Sequence, residues 1–251
     1  MEGASLPPLM ASVTTRERLG GFPPVWTRAA RRDRRLRLGV PNAGKLRELV
    51  GSLVQGAFGC DMLSKQLFFE VNGDLAVLRA RSTDLPHLLA QGVVDVAVTG
   101  SDYVFESGEN LTLVVNLALI VGRICLLTTS GELPPAHRGR RPCISTQYPR
   151  HAELFLRTTG IDGEIVCVSG AGELYPRIGV SDASVDCVVT GRTARENDLR
   201  IASIIRPVTT GIYVRTPDTD QPAITGYRQV AERLREALGR ASGEPEGTRL
   251  S

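Results

Sequence analysis

A chain of 251 residues can bury one large core or two smaller ones. Its content, 42% hydrophobic and 23% charged, is that of an ordinary globular protein, and no apolar run reaches the roughly 20 residues of a membrane-spanning helix. The net charge of +3 is small and partly local, because residues 28–37 read RAARRDRRLR, with six arginines in ten positions. Without interleaved aromatics or a recognisable module behind it, that run reads as a solvated basic arm, not a nucleic-acid site. The five cysteines form no C-x-x-C pair and the three histidines are scattered, which indicates neither a zinc site nor a disulfide framework. No basic start followed by an apolar core marks a secretion signal, so the cytoplasm is the expected compartment.

Residues 1–34 are rich in Pro, Gly, Thr and Arg, lack sustained periodicity, and read as a flexible extension. LRLGV, from Leu36, is a short strand ending at PNAG, and KLRELVGSLVQGAF carries apolar residues at helical spacing. LFFEVNGDLAVLRA predicts two strands joined at Asn72-Gly73-Asp74, since Asn-Gly between apolar runs favours a hairpin. TDLPHLLAQGV predicts a helix and VDVAVTG a buried strand. LTLVVNLALIVGRICLLTT supplies further strands, RPCISTQ another, and PRHAELFLRTTG a helix stopped by glycine. EIVCVSG, GELYPRIGVSDA and VDCVVTG then read as strand, helix and strand. RIASIIRPVTTGIYVRT gives the last strands, and GYRQVAERLREALGR an amphipathic helix ending at Gly239, before a disordered tail over 241–251. Strands alternating with helices specify an α/β architecture with mainly parallel sheets.

Two segments echo one another. GVVDVAVTGSD (92–102) and ASVDCVVTGRT (183–193) share the frame V-D-x-x-V-T-G, each a strand ending in Thr-Gly before a helix. The echo points either to two ordinary strand-to-helix turns or to two similar α/β lobes facing each other across a cleft. In such folds ligands gather at the C-terminal ends of strands.

The second copy has the chemistry of an anion site. The first N–H groups of a helix have no partner within it and lie at its positive end. Gly191 allows close approach of the backbone, Thr190 and Thr193 add hydroxyl donors, and Arg192 adds a permanent charge. These residue types suit a phosphate monoester. Asp186, just upstream, can receive sugar hydroxyls or a hydrated Mg²⁺.

The wider stretch SGAGELYPRIGVSDASVDCVVTGRTARENDL, Ser169 to Leu199, resembles the signature of the ATP phosphoribosyltransferase family. Glu173, Gly179, Asp182, Asp186, Thr190, Gly191 and Thr193 stand where that family has them. LRLGVPNAGKL, SKQL (64–67), RSTDLP (81–86), GVVDVAVTGSD and STQYP agree in order and spacing, so the resemblance covers 36 to about 225. It implies two similar α/β lobes around a cleft, like periplasmic binding proteins and type IV phosphoribosyltransferases. Lobe I, on the ATP side, would comprise 35–115 plus 204–240, and lobe II, with the phosphate loop, 116–203. It also implies a reaction: N1 of ATP attacks C1 of phosphoribosyl pyrophosphate (PRPP), giving phosphoribosyl-ATP and pyrophosphate with Mg²⁺ as cofactor. Thr190, Gly191, Arg192 and Thr193 would hold the PRPP phosphate, and Lys45, Lys65, Arg81 and Asp102 would contact ATP or pyrophosphate. The catalytic set would be Lys45, Arg81, Glu173 and Asp186. Expected partners are a second copy of the chain and a regulatory subunit resembling histidyl-tRNA synthetase, as in the family's short form.

Departures fall mainly on the ATP side. Asn42 stands where the family has Lys, Lys45 where it has Arg, Lys65-Gln66 for Arg-Lys, and Ser82-Thr83 for Pro-Lys. In the second lobe, LALIVGR replaces a glycine-containing turn and Ala194 replaces Leu. The phosphate loop is intact. Two pathways fit the same chemistry, the first step of histidine biosynthesis and that of pentostatin- or coformycin-type nucleoside antibiotics. A non-catalytic PRPP-binding regulatory paralogue and a small-ligand binding module are the alternatives from other classes.

Overall fold

The computed structural model describes residues 35–132, 140–216 and 222–242. The expected extension over 1–34 and the tail from 243 lie outside them. Arg35 and Arg37, however, are part of the fold. Arg35 pairs with Glu70, and the Arg37 guanidinium lies 5.6 Å from the centre of the Phe68 ring.

Among the described residues, nine strands form one sheet in the order β2-β3-β1-β4-β9-β5-β8-β6-β7. Strand β1 (Leu36–Pro41) pairs in parallel with β3 (Leu75–Ala80) and β4 (Val96–Gly100). On the other flank β6 (Cys143–Thr146) pairs in parallel with β7 (Glu164–Cys167) and β8 (Ala183–Val188). Between the flanks run two long strands, β5 (Leu111–Thr128) and β9 (Arg200–Arg215), antiparallel to each other and to β8 and β4. The sheet is therefore mixed, with parallel pairing around β1 and β6 and antiparallel pairing at the β2–β3 hairpin and along the two long strands. Their mutual register shifts between Asn116 and Val121, with Ala118 at φ 49, so the expected turn is a bulge within one continuous strand.

Local signals explain the elements. Helix α1 (Gly44–Phe58) buries Leu46, Val50, Leu53 and Val54, an i, i+4, i+7, i+8 stripe, and Gly59 ends it in the left-handed region at φ 66. Asn72 Oδ1 accepts the Asp74 and Leu75 N–H groups at 2.9 Å each, closing the hairpin between β2 (Phe68–Glu70) and β3. Helices α2 (Leu85–Ala90) and α3 (Ser101–Ser107) flank β4, and α4 (Pro149–Thr159) follows β6 and is stopped by Gly160 at φ 69. Helix α5 is only Leu174–Arg177, far shorter than GELYPRIGVSDA implies, because Gly179 takes φ 74 just beyond it. Helix α6 is Arg192–Glu196, and α7 (Pro222–Ser242) runs through Gly239 instead of ending there. Ala241 and Ser242 are thus helical, not tail.

Two cores result. One gathers β1, β3, β4, α1 and α7 around Leu38, Val50, Val96, Ile212 and Leu234. The other gathers β6, β8 and α4 around Ile124, Ile144, Phe155 and Val185.

Candidate active site

The candidate residues cluster at the C-terminal ends of parallel strands. Lys45 follows β1, Arg81 follows β3, Asp102 follows β4, and Thr190–Thr193 follow β8. This is where ligands collect in α/β sheets.

The Thr190–Thr193 loop joins β8 to α6. Gly191 caps the helix at φ 71, ψ 9, a left-handed conformation that strains any residue with a Cβ. The Arg192 N–H donates to Thr190 Oγ1 at 3.3 Å. Glu173, Cys187 and the segment Val188–Ala194 line a cavity of about 160 Å³ at this loop. The Arg192 guanidinium is turned to Glu196, with Nε 2.7 Å from Oε1, an i,i+4 pair. Arg195 instead lies against the loop, its Nη1 donating to the Thr190 carbonyl at 3.2 Å. The sequence reading missed Arg195; its position one turn after Gly191 was the available signal.

The internal echo is not a structural repeat at this point. Thr99 is fully buried inside β4, and α3 starts immediately after Gly100. Strand β8 ends at Val188, three residues short of Gly191, which leaves Thr190 exposed. The same frame therefore yields a closed turn in one lobe and an open loop in the other.

Behind the loop stand two carboxylates. Asp186 is 7% exposed, and its Oδ1 accepts the Cys187 N–H at 2.6 Å and the Gln147 Nε2 at 3.5 Å. Burial first, and then the adjacent Glu173 carboxylate, push the Asp186 carboxyl up to about 6. Gly172 makes that neighbourhood fit. A Cβ there would lie 2.9 Å from Ser184 Oγ and 3.5 Å from Asp186 Oδ2. Glu173 precedes a helix of only four residues, too short for a substantial dipole, and makes no side-chain cap there.

Asp102 lies in the first turn of α3, 4% exposed, with Oδ2 receiving the Tyr148 hydroxyl at 3.3 Å. Burial raises its carboxyl, and its charge together with that of Asp186 adds to the burial that pushes the Cys187 thiol up to about 12. Cys187 thus feels the charge of both carboxylates. Lys45, Lys65 and Arg81 are exposed. Arg79 is another cation that the sequence did not single out. It is 6% exposed and donates to the carbonyls of Met62 (2.8 Å), Ser64 and Gln66 (3.2 Å), holding the segment that carries Lys65. Asp182 is structural, accepting Arg140 Nη2 at 2.6 Å and the Cys143 N–H at 2.7 Å. No helix among the described residues is long and apolar enough to cross a membrane.

The fold is that of a two-lobed α/β protein, with an open loop and a small cavity after β8 in the second lobe. Solved structures of that shape include the GluR0 ligand-binding core from Nostoc punctiforme in complex with (L)-glutamate, at TM-score 0.53 and 14% identity, a likeness of fold alone. The family model described as ATP phosphoribosyltransferase matches residues 81–236, and the chain belongs to that family. The chain is 36% identical over 176 residues to the ATP phosphoribosyltransferase of Rhodopirellula baltica, an alignment covering 67% of this chain and 58% of that protein. It therefore spans about three-fifths of the length of the curated relatives it matches first. The Listeria monocytogenes ATP phosphoribosyltransferase is shorter, being 91% covered at 26% identity over 76% of this chain. A chain of the ATP phosphoribosyl transferase (HisG:HisZ) complex from Thermotoga maritima superposes with TM-score 0.71 and 25% identity, covering 82% of this chain and 99% of that one.

Proposed function

We propose that this chain is an ATP phosphoribosyltransferase catalytic subunit, acting at the first step of histidine biosynthesis. The observation that carries the reading is the open loop Thr190–Thr193 after β8, backed by the Asp186–Glu173 pair, in a chain of this family. In the reaction a bond forms between adenine N1 and ribose C1, while the C1–oxygen bond to pyrophosphate breaks and pyrophosphate leaves with both electrons of that bond. The loop binds the 5′-phosphate through backbone N–H groups and the two threonine hydroxyls, with Arg195 and Arg192 supplying charge. Asp186 orients the ribose hydroxyls. Lys45, Lys65 and Arg81 contribute charge toward ATP and the departing pyrophosphate. Asp102, in the first turn of α3 with the Tyr148 hydroxyl on its Oδ2, is the acidic group on the ATP side, and adenine N1 is nucleophilic as it is, so positioning is the chain's main task.

The site fits a divalent cation. Burial and the Glu173 charge hold the Asp186 carboxyl above its usual range, a like-charge conflict that Mg²⁺ held by Asp186 and Glu173 would relieve. When bound, Mg²⁺ would neutralise charge on the pyrophosphate leaving group.

Two lobes of 35–115 with 204–240, and 116–203, remain part of the proposal, although packing on the crossing strands overruns those limits. Leu117, Leu119 and Ile120 pack on the first core, and Ile205 and Val208 on the second, so the long strands are shared at the boundary. The likeness to a chain from a HisG:HisZ complex supports a regulatory partner, which we take to be histidyl-tRNA-synthetase-like; self-association and a cytoplasmic setting belong to the same proposal.

Calorimetric titration with PRPP and Mg²⁺, followed by pyrophosphate release on adding ATP, tests the reading. Release that depends on ATP supports it. Tight PRPP binding without release, in the presence and absence of a regulatory subunit, would replace the enzyme by a regulatory paralogue.

A further inference from the structure

The contact between α3 and α4 joins the two lobes through polar groups that the proposed reaction leaves unused. Glu106, near the end of α3, accepts the Arg150 N–H on Oε1 at 2.9 Å. Its Oε2 lies 3.4 Å from the His151 N–H and 2.8 Å from His151 Nδ1. Those two amides belong to the first turn of α4, where Tyr148 at the N-cap makes no side-chain cap. A carboxylate of one lobe therefore caps a helix of the other. Just ahead of α4, the Tyr148 hydroxyl crosses the same seam to Asp102 Oδ2 at 3.3 Å. His151, Tyr148 and Asp102 are buried at this seam, at 0%, 3% and 4% exposed, while Glu106 reaches them from its partly exposed edge.

Packing reinforces the seam. The Phe105 and His151 ring centres are 4.4 Å apart, and Tyr148 meets His151 edge-on at 5.7 Å. Helix α3 straddles both lobes, since Val104 packs against the cluster of Leu85 and Leu89 while Tyr103 packs against the core of the second lobe. The crossing strand β9 joins in. Arg206 lies 4.5 Å from the centre of the Phe105 ring, and the Thr209 N–H donates to Ser101 Oγ at 3.1 Å.

We propose that Glu106 and Tyr148, with His151 donating to the Glu106 carboxylate, form a clasp that fixes the angle between the lobes and so positions the nucleotide acceptor against the Thr190–Thr193 loop. The proposal rests on the two-substrate reaction proposed above. Strands β5 and β9 carry the chain between the lobes, and their pairing is irregular from Leu113 to Val121, where a sheet flexes most easily. Contacts away from those strands are needed to hold one angle. Reacting groups on opposite lobes must meet within about 3–3.5 Å, and a misplacement of about 1 Å costs about 100-fold in rate. Losing the Glu106 carboxylate uncaps α4 and strips the buried His151 ring of its partner, so these ties hold or release together. Neither Glu106 nor Tyr148 lines the cavity at the Thr190–Thr193 loop, which makes them positioning residues.

The test compares Glu106→Gln and Tyr148→Phe, both near-isosteric, with the unaltered chain. Spin labels on non-natural residues at the exposed positions of Arg47 and Arg157 read the interlobe distance without ligands. Calorimetry reads PRPP affinity, and turnover reads kcat. The clasp predicts a broader distance distribution in both variants and a kcat lower by about 10- to 100-fold. PRPP affinity stays within about threefold, since that loop lies wholly in the second lobe. An unchanged distribution in both variants overturns the clasp. A broadened distribution with unchanged kcat overturns its positioning role, as does a loss of PRPP affinity that accounts for the fall in kcat. Should the unaltered chain turn over no acceptor, the reaction fails as a reading, while the distance distribution still decides whether the clasp exists.

Discussion

Replacing Asp186 by asparagine should stabilise the unliganded protein at neutral pH while damaging its chemistry. Asp186 has its carboxyl raised from 3.8 to about 6 by burial and by Glu173. The folded chain therefore holds a proton that the unfolded chain releases between those values. The stability contributed by that proton is fully present below pH 3.8 and is lost as pH rises through about 6. Roughly two units, at about 1.36 kcal/mol each, set a ceiling of about 3 kcal/mol for the cost of the ionised form. Asparagine carries no charge at any pH and can still accept the Cys187 N–H, so it removes that cost at the price of the carboxylate. We expect Asp186→Asn to gain about 1–3 kcal/mol near pH 8, or about 2–10 °C in Tm, with most of the gain absent near pH 4. Differential scanning calorimetry in chelator, without PRPP, reads both values, and a turnover assay reads the loss of activity. A variant less stable than the unaltered protein near pH 8 would refute the account of Asp186. So would an equal gain at the two pH values.

Three further outcomes are expected. Gly191→Val forces a branched residue into a left-handed backbone, costing about 1–2 kcal/mol in the loop, and Thr190→Ala removes a charge-assisted donor worth about 1–3 kcal/mol. Calorimetry should show weaker PRPP binding in both, and unchanged affinity in a folded variant would take the loop out of the site. Lys45→Met and Arg81→Met should each raise KM for ATP by about 10-fold or more while PRPP affinity holds, as steady-state kinetics with calorimetry will show. Gly100→Ala would put a Cβ 2.1 Å from Asp102 Oδ1, so urea unfolding should show a loss of about 1–3 kcal/mol, and an unshifted midpoint would contradict the packing at α3.

What the sequence revealed was local. Asn72 closes its hairpin with its own side chain, and the stripe Leu46–Val54 with Gly59 behind it writes α1 into 16 consecutive residues (44–59). The turn at Thr190–Thr193 was equally legible, because Gly191 itself supplies the left-handed backbone between β8 and α6. Hidden features depend on partners distant in sequence. Glu106 and His151 are 45 residues apart, and Tyr148 and Asp102 are 46 apart, so no periodicity reports them. The continuity of β5 was obscured because Ala118 takes a positive φ at the bulge without a glycine to announce it. Arg192 drew attention by standing inside the motif, yet Glu196, one helical turn on, claims its guanidinium, and Arg195 is the cation that touches the loop.

The central claim is that the Thr190–Thr193 loop presents PRPP to adenine N1 of ATP. It is tested most directly by incubating the protein with Mg²⁺, PRPP labelled at C1 and ATP labelled at N1, with ADP, AMP and adenosine as competing acceptors. Mass spectrometry and nitrogen–carbon coupling then identify the product. The account predicts phosphoribosyl-ATP with a direct N1–C1 bond, formed in step with pyrophosphate. A product on another acceptor, or pyrophosphate released without any N1–C1 coupling, would contradict it.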